Sequence, residues 1–168
     1  TVEMLARRIV DAIRHEETEK APPLVRVSRD GQSLRLPLSF AQQRLWFMDQ
    51  FAPNSPLYNN PYAVRLEGRL DLEILERVIN EIVRRHEVLR TRFEVDEGQP
   101  VQIIDEWERR RLQVEDLTGL TRQESEIEAR KIAGEEAGTG FDLSRGPLLR
   151  VKALKLGEEQ HVLLFNMH

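Results

Sequence analysis

The hydrophobic positions of this chain change period several times, and each change marks an expected element. Val2, Leu5, Ile9, Ala12 and Ile13 recur at helical spacing, so Thr1–Arg14 reads as a short amphipathic helix capped by Thr1. The pattern then breaks. His15–Lys20 is charged, and Ala21-Pro22-Pro23, Arg29-Asp30-Gly31 and Pro37 are linker chemistry, in which proline fixes φ and glycine permits a turn. A boundary is expected across residues 15–36.

Ser39–Phe51 reads as a helix. Ser39 and Gln42 have capping-box spacing, and Phe40, Leu45, Trp46, Phe47 and Met48 crowd more than one face, which predicts a largely buried element. Ala52–Pro61 is a proline-rich loop. Tyr62, Val64 and Leu66 alternate with Ala63, Arg65 and Glu67, the pattern of a half-buried strand. Asp71–His86 is the clearest helix, with one stripe of Leu72, Leu75, Val78, Ile79, Ile82 and Val83, a cap at Asp71 and cations in the last turn. Thr91–Val95 and Pro100–Ile104 flank Glu97-Gly98 as a hairpin, and Leu112–Val114 is a short strand. Thr121–Ala137 is a charged helix whose Thr121 and Glu124 repeat the capping box. Leu148–Leu156 and His161–Met167 are strands joined at Gly157-Glu158-Glu159. Helices interleaved with strands and a final hairpin predict an α/β two-layer sandwich. It is not a dinucleotide-binding sheet, because no glycine-rich phosphate turn follows any strand.

Composition narrows the chemistry. The net charge of −4 is spread over mixed acidic and basic residues, so no basic stripe points to nucleic acid. No apolar run approaches a membrane span, and the start lacks a secretory pattern. Cysteine is absent, which removes disulfides and thiolate metal sites. A cytosolic address fits these features. The four histidines show no zinc-type spacing, so no metal is expected, and there is no nucleophile elbow or Walker loop. Three blocks remain. Ser39–Asp49 is in the first instance a capped helix, and Arg85–Phe93 a dipole-matched helix end. His168 closes an apolar strand, where a lone histidine is more often a hydrogen-bonded core residue than a catalyst.

Taken together the blocks resemble the condensation domains of nonribosomal peptide synthetases. Leu38–Asp49 with Pro37, PLSFAQQRLWFMD, is similar to the family motif SxAQxRLWxL, with Met48 where Leu is usual. Arg85–Phe93, RHEVLRTRF, is similar to RHExLRTxF, and Phe141–Arg150, FDLSRGPLLR, to the segment before the active-site strand. Met167-His168 is similar to the opening of HHxxxDG. The resemblance implies the chloramphenicol acetyltransferase-like fold, with residues 37–168 as the N-terminal lobe only, truncated at its active-site motif. Residues 1–14 resemble the C-terminal helix of a carrier domain and residues 15–36 the linker after it.

The implied reaction is amide formation between a donor acyl or peptidyl thioester and an acceptor aminoacyl thioester. Both are held on the phosphopantetheine arms of upstream and downstream carrier domains. No cofactor of its own is implied, and the other expected partners are a C-terminal lobe and neighbouring synthetase domains. His168 matches the first motif histidine, a supporting position. The second, credited with catalysis, would be the next residue, so the chain alone is expected to be inert. Arg85 and Arg90 match positions that brace the active site. The first motif is more like domains that join two L-residues. The alternatives are a non-catalytic condensation-like domain that recruits partners, a plain interaction module, and an acyltransferase acting on free acceptors.

Overall fold

The computed structural model describes residues 2–7 and 34–168. Residues 2–7 are helical, with Arg7 paired to Glu3 at 3.0 Å, and belong to a unit separate from Gln32–His168. The expected cap at Thr1, the remainder of that helix and positions 15–33 of the expected linker lie outside the described residues.

The larger unit carries two sheets. The first strand, β1 (Leu34–Pro37), pairs antiparallel with β4 (Gln99–Ile104), which pairs antiparallel with β3 (Thr91–Asp96). The folded unit thus begins inside the range expected to be linker, because Leu34–Pro37 finds a free edge on β4. The second sheet has the order β2-β7-β6-β5, formed by β2 (Asn60–Glu67), β5 (Gln113–Asp116), β6 (Leu149–Gly157) and β7 (Gln160–Met167). β5 runs parallel to β6 and the other pairs are antiparallel. The hairpins fall where the sequence places them. Glu97 and Gly98 both take positive φ (47° and 78°), the conformation a two-residue turn requires.

Three helices join the strands. α1 (Phe40–Phe51) and α3 (Arg122–Gly138) both start with complete capping boxes, Ser39 with Gln42 and Thr121 with Glu124. α2 (Leu72–Arg85) starts at Asp71, whose carboxylate accepts from the Ile74 amide at 2.9 Å. α3 covers one face of the four-stranded sheet. Leu117, Ala129, Leu154, Val162 and Leu164 form that core, joined by Ile132, Ala133 and Leu156. A second core gathers Leu38, Phe93, Phe141, Leu143 and Leu148, with Trp46 of α1 packed against it.

Burial corrects the sequence reading in two places. The crowded apolar positions of α1 predict a largely buried helix, yet Phe40 is 90% and Phe51 81% exposed, and Phe47 is exposed as well. The helix rests on the core through one side, and its motif aromatics on the other side face outward. The stripe of α2 is likewise only half-covered, with Ile74, Val78 and Ile82 exposed, and Tyr62 and Val64 on edge strand β2 are open too. Periodicity identifies the elements; what covers their apolar faces is a separate matter that period alone does not settle.

Candidate functional site

The last strand delivers the candidate residue. β7 lies between β2 and β6, with Asn60 opposite Met167 on one side and Leu149 opposite Met167 on the other. Central placement fixes the strand's end from both sides, and the His168 amide extends the ladder by donating to the Leu148 carbonyl at 3.2 Å.

The ring of His168 meets two aromatic edges. Tyr58, from the short 3-10 turn Pro56–Tyr58, lies at 6.3 Å between centroids, and Phe141 at 6.1 Å, both near edge-on. Asp49 of α1 shares a small cavity with the ring, together with Ala52, Ser55 and Leu57. Burial lowers the His168 pKa from its ordinary value, and the Asp49 charge opposes that shift. Asp49 is itself raised, first by burial, with Asp142 adding to the rise and the Asn54 amide and His168 lowering it.

The shell is held by capping contacts at the end of α3. Arg150 places its guanidinium carbon 3.9 Å from the centroid of Phe141. It also donates to the Gly140 carbonyl at 2.9 Å and pairs with Glu136. Asn166, fully buried, donates to the Glu136 carbonyl at 2.7 Å, and Asn59 donates to the Ala137 and Thr139 carbonyls at 2.7 and 2.9 Å. Helix C-termini leave carbonyls without intrahelical partners, and here three side chains from other elements supply the donors. Gly140 also touches the backbone of Asn54, so closely that a Cβ there would overlap the Asn54 carbonyl group. The loop 52–60 and the segment 138–141 are therefore docked backbone to backbone beside His168.

The two arginines lie elsewhere. Arg85 is exposed in the last turn of α2. Arg90 is half-buried at the end of the turn Glu87–Arg90; it donates to the Asp105 carbonyl and to Glu87 at 3.4 Å. It lines a cleft of about 190 Å³ with Ile79, Val83, Trp107 and Leu149. The described contacts of His168 include neither arginine. The sequence reading singles out all three residues but misses their surroundings: Asp49, Tyr58, Phe141 and Arg150. The signal is present, since Asp49 closes the first block and Phe141–Arg150 is the third, but a block does not show which of its side chains meet. Among the described residues no cluster of histidine and carboxylates could hold a metal ion, and no helix is long and apolar enough to cross a membrane.

With that geometry in place, the comparisons with known proteins are decisive. The family described as "Condensation domain" matches residues 32–168. The chain belongs to that family. Its condensation-domain sequence is 48% identical over 157 residues, 94% of this chain, to a linear gramicidin synthase polypeptide of Brevibacillus parabrevis, of which it spans 3%. It is 37% identical over 97% of its length to phosphinothricin tripeptide synthetase PhsB of Streptomyces viridochromogenes, of which it spans 14%. Among solved structures, the first condensation domain of the CDA synthetase superposes with a TM-score of 0.72 at 25% identity, covering 82% of this chain and 36% of that one. The starter condensation domain of rhizomide synthetase RzmA gives 0.73 at 24%, covering 81% and 34%, a likeness of fold. The fold is thus the chloramphenicol acetyltransferase-like one, represented by part of an N-terminal lobe, and the relatives are multidomain synthetases.

Proposed function

We propose that residues 32–168 are the N-terminal part of a condensation domain that joins a donor acyl or peptidyl thioester to the amine of an acceptor aminoacyl thioester. The observation that carries this reading is the condensation-family match running to His168, which ends a central strand inside an aromatic shell. Histidine suits the work at this position because one ring offers a donor and an acceptor near neutral pH. In this reading His168 supports the catalytic centre. Arg85 and Arg90 brace it, with Arg90 held against Asp105. Both substrates arrive on phosphopantetheine arms of carrier domains, so the arm belongs to the substrate and residues 34–168 need hold no resident group. The partners are those carrier domains, a C-terminal lobe and neighbouring synthetase domains, acting in the cytoplasm.

Exchanging the matching segment of the Brevibacillus parabrevis linear gramicidin synthase for residues 32–168 tests the reading. Two loaded carriers should then give a condensed product. A soluble, folded chimera that forms none would overturn the reading and favour a non-catalytic, partner-recruiting domain.

A further inference from the structure

Asp49 is a carboxylate at the C-terminal end of α1, a place where the helix dipole disfavours negative charge. It faces a cavity of about 30 Å³ whose opposite wall is His168, with Ala52, Ser55 and Tyr58 completing the lining. That is room for one water molecule, which needs roughly 10–15 Å³ of accessible space. The two groups are electrostatically coupled, each favouring the other's charged form against the burial that opposes it. A carboxylate near the negative end of a helix, partly buried, is costly unless a partner offsets it.

His168 is that partner. From the other sides its ring meets Phe141, which is uncharged, and Tyr58, and the nearest further carboxylate, Asp142, acts on Asp49.

We propose that Asp49 is a positioning residue: across the cavity it accepts a hydrogen bond, through one water, from the imidazole of His168, and so fixes the ring's tautomer and rotation at the end of β7. The aromatic edges of Tyr58 and Phe141 restrict where the ring can lie but leave it free to turn over; a carboxylate on one side distinguishes the two ring nitrogens, as second-layer carboxylates do for functional histidines. The role of this pair in condensation rests on the function proposed above, whereas the coupling does not.

Two measurements separate those dependencies. The first follows the histidine ring signals of the 168-residue chain by NMR across pH. Asp49→Asn should shift the His168 midpoint downward and change its tautomer ratio, while the His161 midpoint stays in place. The chain terminus is common to both forms, so its charge cancels in the comparison. In the unsubstituted chain the Asp49 carboxyl carbon should report a second step at the His168 midpoint, an observation that requires no variant to fold. An unmoved His168 midpoint, or an Asp49 signal with no such step, would overturn the pairing. The second measurement places Asp49→Asn in the chimera. A fall of about tenfold to a hundredfold in kcat with KM unchanged, restored in part by Asp49→Glu, is the expected result. An intact kcat beside an altered titration would overturn the positioning role and leave the condensation reading standing. A chimera inactive with Asp49 in place would overturn that reading and leave the pairing standing.

Discussion

Arg150 stacks on Phe141 with its guanidinium carbon 3.9 Å from the ring centroid, and the same ring presents its edge to His168. One arginine thereby joins the end of α3 to the wall of the candidate site. Its fork reaches the Gly140, Thr139 and Glu136 carbonyls and the Glu136 carboxylate, which Lys152 also approaches at 3.6 Å. Replacing Arg150 with Ala leaves Glu136 half-buried without its main partner and strips the helix end of donors. We expect a loss of about 2–4 kcal/mol, below the full figure for a buried pair because the arginine keeps some solvent contact. Arg150→Lys keeps the charge but loses the planar fork and the stacking, so it should recover less than half of that. Urea midpoints of the three forms check both statements, and equal midpoints for the wild-type chain and Arg150→Lys would contradict the second.

Gly140→Ala tests the docking of the 52–60 loop. The added Cβ would overlap the Asn54 carbonyl oxygen, and that neighbour is backbone that cannot swing aside. Asn54 already holds a positive φ of 57°, so it has little freedom to yield. A destabilisation of about 1–3 kcal/mol is expected, together with amide shift changes along residues 52–60 and at His168. By contrast Gly134→Ala, which meets nothing within 4 Å on α3, should be neutral or stabilising by up to roughly 1 kcal/mol. A thermal melt of each separates them.

The two capping boxes should behave as independent units. Ser39→Ala and Thr121→Ala each remove the acceptor for an N3 amide, at 3.3 and 3.4 Å, and each should cost about 1 kcal/mol. The helices have separate packing, so the double variant should lose the sum within about 0.5 kcal/mol. Denaturant unfolding of the four forms checks the additivity.

Acid should weaken the fold in two steps. His161 is 2% exposed and its Nδ1 has no partner among the described residues. Burial first, then the Lys155 charge, lower its pKa. A histidine depressed in the folded state binds fewer protons there than in the unfolded chain. Stability is therefore full above the unfolded value of about 6.5 and is lost as pH falls from there through the folded value. His168 has the same sign, and Asp49, raised in the folded state, partly offsets the loss. The second step belongs to carboxylates held low by hydroxyl or amide donors: Asp142 by Ser144, Asp116 by Thr118 and Glu124 by Thr121. Their contribution is present above about pH 4.5 and lost below it. Melting temperature against pH should show both falls, and His161→Gln should flatten the upper one. A profile level from pH 7 to 5 would contradict the assignment.

Periodicity, caps and turn residues are enough to locate every helix and hairpin of residues 38–168, because those signals are local: Ser39 with Gln42, Asp71 with Ile74, Glu97 with Gly98. The strand Leu34–Pro37 is hidden, since four residues beside linker chemistry carry too little period and take their order from the β4 edge. The motif blocks indicate the family and the histidine. That Phe141, Tyr58 and Asp49 surround that histidine, while Arg85 faces solvent, was decided by tertiary structure alone. These side chains lie far apart along the chain, and only the pairing of β7 between β2 and β6, with the backbone contact of Gly140 on Asn54, brings them within reach. A sequence states what each segment prefers; which faces meet depends on where the segments dock, and no local pattern carries that.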